Sequence, residues 1–208
     1  MEKIEFEGRV ESVQPRIRLM RSFDERAHSY LGFILRLNGE IDDESKVYTI
    51  GIGPGVQQKH KFRSGMVISG QCVPVIDTRI EPAEYYKVSK LKVLESNIQQ
   101  DETPPPWIGE PPMLEEYRSR GHRRLATQVY DRECWRCLWG CRMAVEMIID
   151  QWKPDVRKYR HEAFCYGPKS CSLYKAGPAR KVPGRKGMSY VEEDWVDEQD
   201  TAHREPDE

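Results

Sequence analysis

Five of the six cysteines in this 208-residue chain fall between positions 134 and 171. They stand in the runs Cys134-Trp135-Arg136-Cys137-Leu138-Trp139-Gly140-Cys141 and Cys165-Tyr166-Gly167-Pro168-Lys169-Ser170-Cys171. The spacing is C-x2-C-x3-C, then twenty-three residues, then C-x5-C. The N-terminal Met1-Glu2-Lys3-Ile4-Glu5 has no signal-type apolar stretch, and no apolar run reaches the roughly 20 residues of a membrane span. A cytoplasmic setting is the expectation, with thiols kept reduced, and clustered reduced thiols signal a bound metal.

Five thiols exceed the four that a tetrahedral zinc or a cuboidal cluster needs. Zinc would take Cys134, Cys137, Cys165 and Cys171 and leave Cys141 packed. In a [4Fe–4S] cluster Cys141 could replace one of the four. C-x5-C is unlike the usual C-x2-4-C zinc knuckle, which tips the expectation slightly toward iron–sulfur, with Trp135, Trp139, Phe164 and Tyr166 as a shielding shell. His161 reads as a surface or ion-paired residue rather than a ligand, and Cys72 as a small core residue.

Charge is distributed unevenly around this cluster. The whole chain is net −1, but residues 1–113 carry −2, residues 114–188 carry +9 and residues 189–208 carry −8. Hydrophobic content of 38% and charged content of 32% depart from the roughly 45–50% and 25% of ordinary domains, so some segments are expected outside any core. Arg123 and Arg124 precede the thiols. Arg180, Lys181, Arg185 and Lys186 follow them in a stretch broken by Gly and Pro. These cations could meet phosphates. The acidic end reads as unstructured from about 191 to 208, tethered where it could compete for the same cations.

The elements that must position the thiols follow from periodicity. Arg142 to Trp152 reads as a helix, with Arg142, Glu146 and Asp150 spaced by four as a charged stripe. Another helix is expected from about 113 to 130. Residues 99–113 hold five prolines between Thr103 and Pro112 and read as an extended spacer.

Upstream, strands are expected from Ile4, over Tyr30–Leu37 with Asn38-Gly39 as the closing turn, and over Lys46–Ile52, Met66–Val75 and Tyr85–Leu94. A short insert separates the third from the fourth. This order, with Gly65 and Gly70 flanking the fourth strand, resembles the OB-fold nucleic-acid-binding class over residues 1–98. The resemblance implies a five-stranded barrel with Tyr30 and Tyr48 as candidates for base stacking.

The resulting expectation is an α+β chain. It comprises an OB-like barrel (1–98), a Pro-rich linker (99–113), a basic helical Cys-rich metal module (114–190) and an acidic tail (191–208). No phosphate-loop, nucleophile-elbow or zinc-protease motif occurs, which points away from catalysis. Three readings remain. One is a metal-containing protein binding single-stranded DNA or RNA. Another is an assembly subunit with a structural metal, meeting a protein partner through linker or tail. The last is an iron–sulfur electron-transfer or redox-sensing protein.

Overall fold

Apolar Ile4, Phe6 and Val10 alternate with Glu5, Glu7, Arg9 and Glu11, and a period of two puts one set on the inner face of a strand. In the computed structural model, which describes residues 3–22, 25–96 and 104–206, this pattern runs on as β1, Ile4–Arg21. β2 (Arg26–Ile41) and β3 (Glu44–Ile52) follow, then the short helix α1 (Pro54–His60), β4 (Val67–Pro74) and β5 (Tyr85–Glu95). β1 pairs with β2 and β4, β2 with β3, and β5 with both β4 and β3, so five strands form a closed ring.

Asn38-Gly39 lies inside β2 rather than ending it. Gly39 is opposite Gly8 of β1, and a Cβ at position 39 would collide with the Glu7 carbonyl. The glycine therefore serves close strand approach. The turn comes at Asp42 and Asp43, both at positive φ, as a two-residue hairpin turn requires.

After residue 104 come α2 (Leu114–Arg120), β6 (Arg123–Arg124), α3 (Thr127–Arg132), β7 (Gly140–Ile148) and β8 (Arg157–Cys165). Then follow β9 (Arg180–Pro183), β10 (Ser189–Glu192) and α4 (Asp194–Asp200). β7 runs parallel to the far end of β1, with Arg18–Arg21 beside Ala144–Met147, and β8 and β6 extend the sheet. The expected α+β class is corrected by this arrangement. The chain is mostly β, 47% strand and 17% helix, with one mixed sheet of eight strands and, among the described residues, four short α-helices.

The thiol-bearing region is built on strands, not on the expected helices. Cys141, Met143, Val145 and Met147 alternate into the core while Arg142 and Glu146 face outward, so period two won over the four-residue charge spacing. The helix expected over 113–130 is broken at Gly121, whose φ is +66°. The core is shared across both halves of the sheet, with Ile17, Phe33, Leu35 and Ile50 packed with Met143, Val145 and Phe164. No helix among the described residues is long and apolar enough to cross a membrane.

The acidic stretch that composition reads as unstructured forms β10 and α4. Its acids bind arginines. Glu192 pairs with the buried Arg21 at 2.6 Å, and Asp194 and Asp197 pair with the buried Arg124 at 2.5 and 2.9 Å. Arg21 also meets Glu162 at 3.3 Å, and Glu162 binds Arg160 and Arg180. Acids of the −8 block are thus taken up inside the fold by Arg124 of the +9 block and by Arg21 of the first strand.

Two histidines lie beside this ion network. The rings of His28 and His122 are 4.8 Å apart, and His122 meets the edge of Phe164 at 4.5 Å. Burial, then the charges of Arg26 and Arg21, hold His28 down at about 4, and burial holds His122 well below the ordinary imidazole value. Between pH 6.5 and 4 the unfolded chain takes up these protons and the folded chain does not, so stability falls as pH falls. The loss for His28 is on the order of 3 kcal/mol by pH 4. Melting temperature is expected to fall steadily from pH 6.5 to 4.5, and a flat profile over that range would contradict the assignment.

Candidate metal centre

Local backbone bonds shape the first cysteine pair. Cys134–Arg136 forms one 3-10 turn, in which Cys137 N–H donates to Cys134 O at 3.1 Å, and Gly140 N–H donates to Cys137 O at 3.0 Å. Gly140 then opens β7 directly opposite Cys165, the last residue of β8. That register brings the second thiol run beside the first. Tyr166 N–H continues the pairing to Trp139 O at 2.9 Å, and Cys171 N–H closes the Pro168 turn at 3.2 Å.

Cys134, Cys137, Cys165 and Cys171 consequently line one cavity, walled by Pro106, Trp107, Leu125, Trp139, Leu173 and Tyr174. Pro105, Pro106 and Trp107 belong to the Pro-rich segment, which covers the thiols here. Its residues 99–103 lie outside the described part. Cys141 does not join the set. As the next residue of a strand it points to the opposite face, fully buried in the main core, its Sγ donating to Pro15 O at 3.4 Å. Cys72 is buried in β4, where burial pushes its thiol up to about 12.

Burial, reinforced by the neighbouring thiols, pushes Cys134 up to about 12. Cys137 reaches about the same value, again chiefly through burial. Groups that favour the thiolate are also present. Trp139 and Trp107 bring backbone N–H donors to Cys137, Gly167 N–H reaches Cys165 Sγ at 3.4 Å, and the Arg123 guanidinium lies beside Cys165. Among the described residues, no three His, Cys, Asp or Glu side chains are closed up enough to hold an ion as they stand. The donor chemistry nevertheless fits: four cysteines line an apolar hole with about 10 Å³ of free space, close to one water-sized sphere. Holding an ion there requires the thiols to turn inward and shed their protons.

A side chain from the far end of the sequence braces this turn. Gln14 of β1 donates from Nε2 to both Cys134 O and Cys137 O at 2.7 Å, while its Oε1 accepts from Tyr130 OH at 2.7 Å. Nothing in the sequence marks Gln14, because the contact spans more than a hundred residues.

The side chains expected to contact nucleic acid are dispersed. Arg124 is 1% exposed and bound to Asp194, Asp197 and Glu192 O. Arg180 is buried against Glu162 and Ala163 O, and Arg123 lies over the Tyr174 ring at 3.8 Å, donating to Pro168 O. Tyr48 is a core residue whose hydroxyl donates toward Glu7 O and Glu40 O. Tyr30 is half-buried beneath the Arg118 guanidinium. Lys181, Arg185 and Lys186 remain exposed, as does His161.

No family model matches the chain, and no curated protein or solved structure does either.

Proposed function

We propose that this chain is a non-catalytic protein, stapled by one zinc ion on Cys134, Cys137, Cys165 and Cys171, that binds single-stranded nucleic acid. The observation that carries the reading is the meeting of two sequence-distant thiol pairs at one small apolar cavity. Space for a single ion supports zinc over the four-iron cluster that a redox role requires. Zinc supplies a redox-inert crosslink that fixes the start of β7 against the end of β8. Arg123 offsets part of the negative charge of four thiolates.

The polyanion part of the reading rests on exposed cations left after internal pairing, among them Lys158, Lys175, Lys181 and Lys186. Trp152, 81% exposed at the β7–β8 turn, favours the second reading, an assembly subunit whose metal is structural. The experiment that separates them titrates zinc-loaded full-length protein into a labelled single-stranded oligothymidylate. Binding that weakens with salt is expected. No binding at low salt would contradict the nucleic-acid reading and leave the assembly role.

A further inference from the structure

The strongest unassigned feature is a cleft of about 400 Å³ between the outer face of the five-strand ring and the thiol-bearing turn. Its floor follows strand register. Ser12, Arg36 and Thr49 are direct neighbours across β1, β2 and β3, and Gln14 occupies the same face one step along. Trp135, between the first two cysteines, forms a wall with the Arg36 guanidinium 4.8 Å from its ring centroid. Arg142 and His161 form the other wall. Their partners Ala163 and Ala144 put them diagonally adjacent on one face of the β7–β8 pair, within reach of a common ligand.

We infer that this cleft seats one unpaired nucleotide, its base stacked on the Trp135–Arg36 pair and its phosphate held by Arg142 and His161. The inference deepens the nucleic-acid reading above and rests on it. The Arg36 guanidinium lies over the indole, and its outer plane, backed by that ring, offers a flat cationic surface that any base can cover. Arg36 is also oriented by Glu11 at 3.0 Å, so its plane is held in place before a ligand arrives. Arg142 is half-exposed and meets Asp131 only at 3.9 Å, leaving its donors available to a phosphate. Glu84, on the opposite wall, accepts from Thr49 N–H and Oγ1 at 2.7 and 3.0 Å. This carboxylate directs the phosphate away toward Arg142 and offers an acceptor to a base N–H. The volume suits one nucleotide-sized ligand, and a base already paired in a duplex cannot enter between Trp135 and the strand face.

The site is wired to the thiols. Gln14, on the cleft floor, holds the carbonyls of Cys134 and Cys137, so the turn carrying Trp135 is fixed from both sides.

The test uses zinc-loaded full-length protein and a labelled oligothymidylate, with the same sequence in duplex form as competitor. Trp135→Ala is expected to weaken binding roughly tenfold or more, the loss of one stacking platform, while Trp135→Phe stays within about threefold of the parent. Arg142→Ala, a change at a half-exposed position that does not threaten the fold, should weaken binding severalfold and lower the salt dependence by about one phosphate contact. Duplex should compete poorly. If the parent binds but Trp135→Ala and Arg142→Ala bind equally well, the cleft is not the seat and the nucleic-acid reading survives; if duplex competes equally, the cleft and the single-strand preference both fall. If the parent does not bind at low salt, the cleft and the nucleic-acid reading both fall.

Discussion

Cys165→Ser is expected to lower the melting temperature of the metal-loaded chain by roughly 10–20 °C, on the order of 5 kcal/mol. Cys165 closes β8 opposite Gly140 and lines the same cavity as Cys134, Cys137 and Cys171. Losing it removes one of four thiolates and leaves the other three around an ion they cannot enclose. Two comparisons isolate the cause. A strong chelator should bring the parent protein down to the level of the variant and leave the variant unchanged. Cys141→Ala, on the other face of β7, should retain the metal and lose only about 1 kcal/mol to a small cavity. Thermal melts of the three proteins with and without chelator check this. Equal losses for Cys141 and Cys165, insensitive to chelator, would show that both are ordinary packed thiols.

The second large effect is expected at Glu162. Its carboxylate is 6% exposed and meets Arg21, Arg160 and Arg180, of which Arg21 and Arg180 are buried. Glu162→Ala leaves Arg21 on Glu192 and takes from Arg180 its carboxylate partner, and an uncompensated buried charge costs about 3–5 kcal/mol. The damage should spread to the C-terminal segment, since Glu192 of β10 binds the same Arg21. Limited proteolysis should therefore cut the variant after residue 180 faster than the parent. Glu95→Gln is the comparison, because the Arg9–Glu95 pair at 3.4 Å is half-exposed on both sides and should cost under about 1 kcal/mol. Chemical denaturation of both variants measures the contrast. A Glu162→Ala protein as stable as Glu95→Gln would rule out the network as the anchor of β10 and α4.

Strands with clean alternation were legible in the sequence. The apolar set of β1 and the runs forming β3, β4 and β5 fall within a few residues of their expected bounds. What failed were positions where two local signals competed. Asn38-Gly39 is a turn signal by type, yet Gly39 is required where β2 passes close to Gly8, and Asp42-Asp43 makes the turn instead. Arg142, Glu146 and Asp150 have helical spacing, yet Cys141, Met143, Val145 and Met147 have strand spacing, and burial of the second set decided the outcome.

Charge counting located the basic and acidic blocks but could not assign partners. Arg124 and Arg180 were consumed by Asp197 and Glu162, contacts fixed only by the assembled sheet. The thiols were the most legible part of the site. Spacing left Cys141 open as a fifth candidate, and strand parity, invisible while the segment read as helix, turned it away. Arg142 and His161 carried no sequence signal as cleft residues, because only the β7–β8 register places them together.

The central claim is the single-ion staple, and metal content tests it most directly. Elemental analysis of full-length protein, purified without added metal and without chelator, should find one zinc per chain in the parent and in Cys141→Ala, and none in Cys165→Ser. Iron at four atoms per chain, or a metal-free parent that gains no stability on titration with zinc, would contradict it.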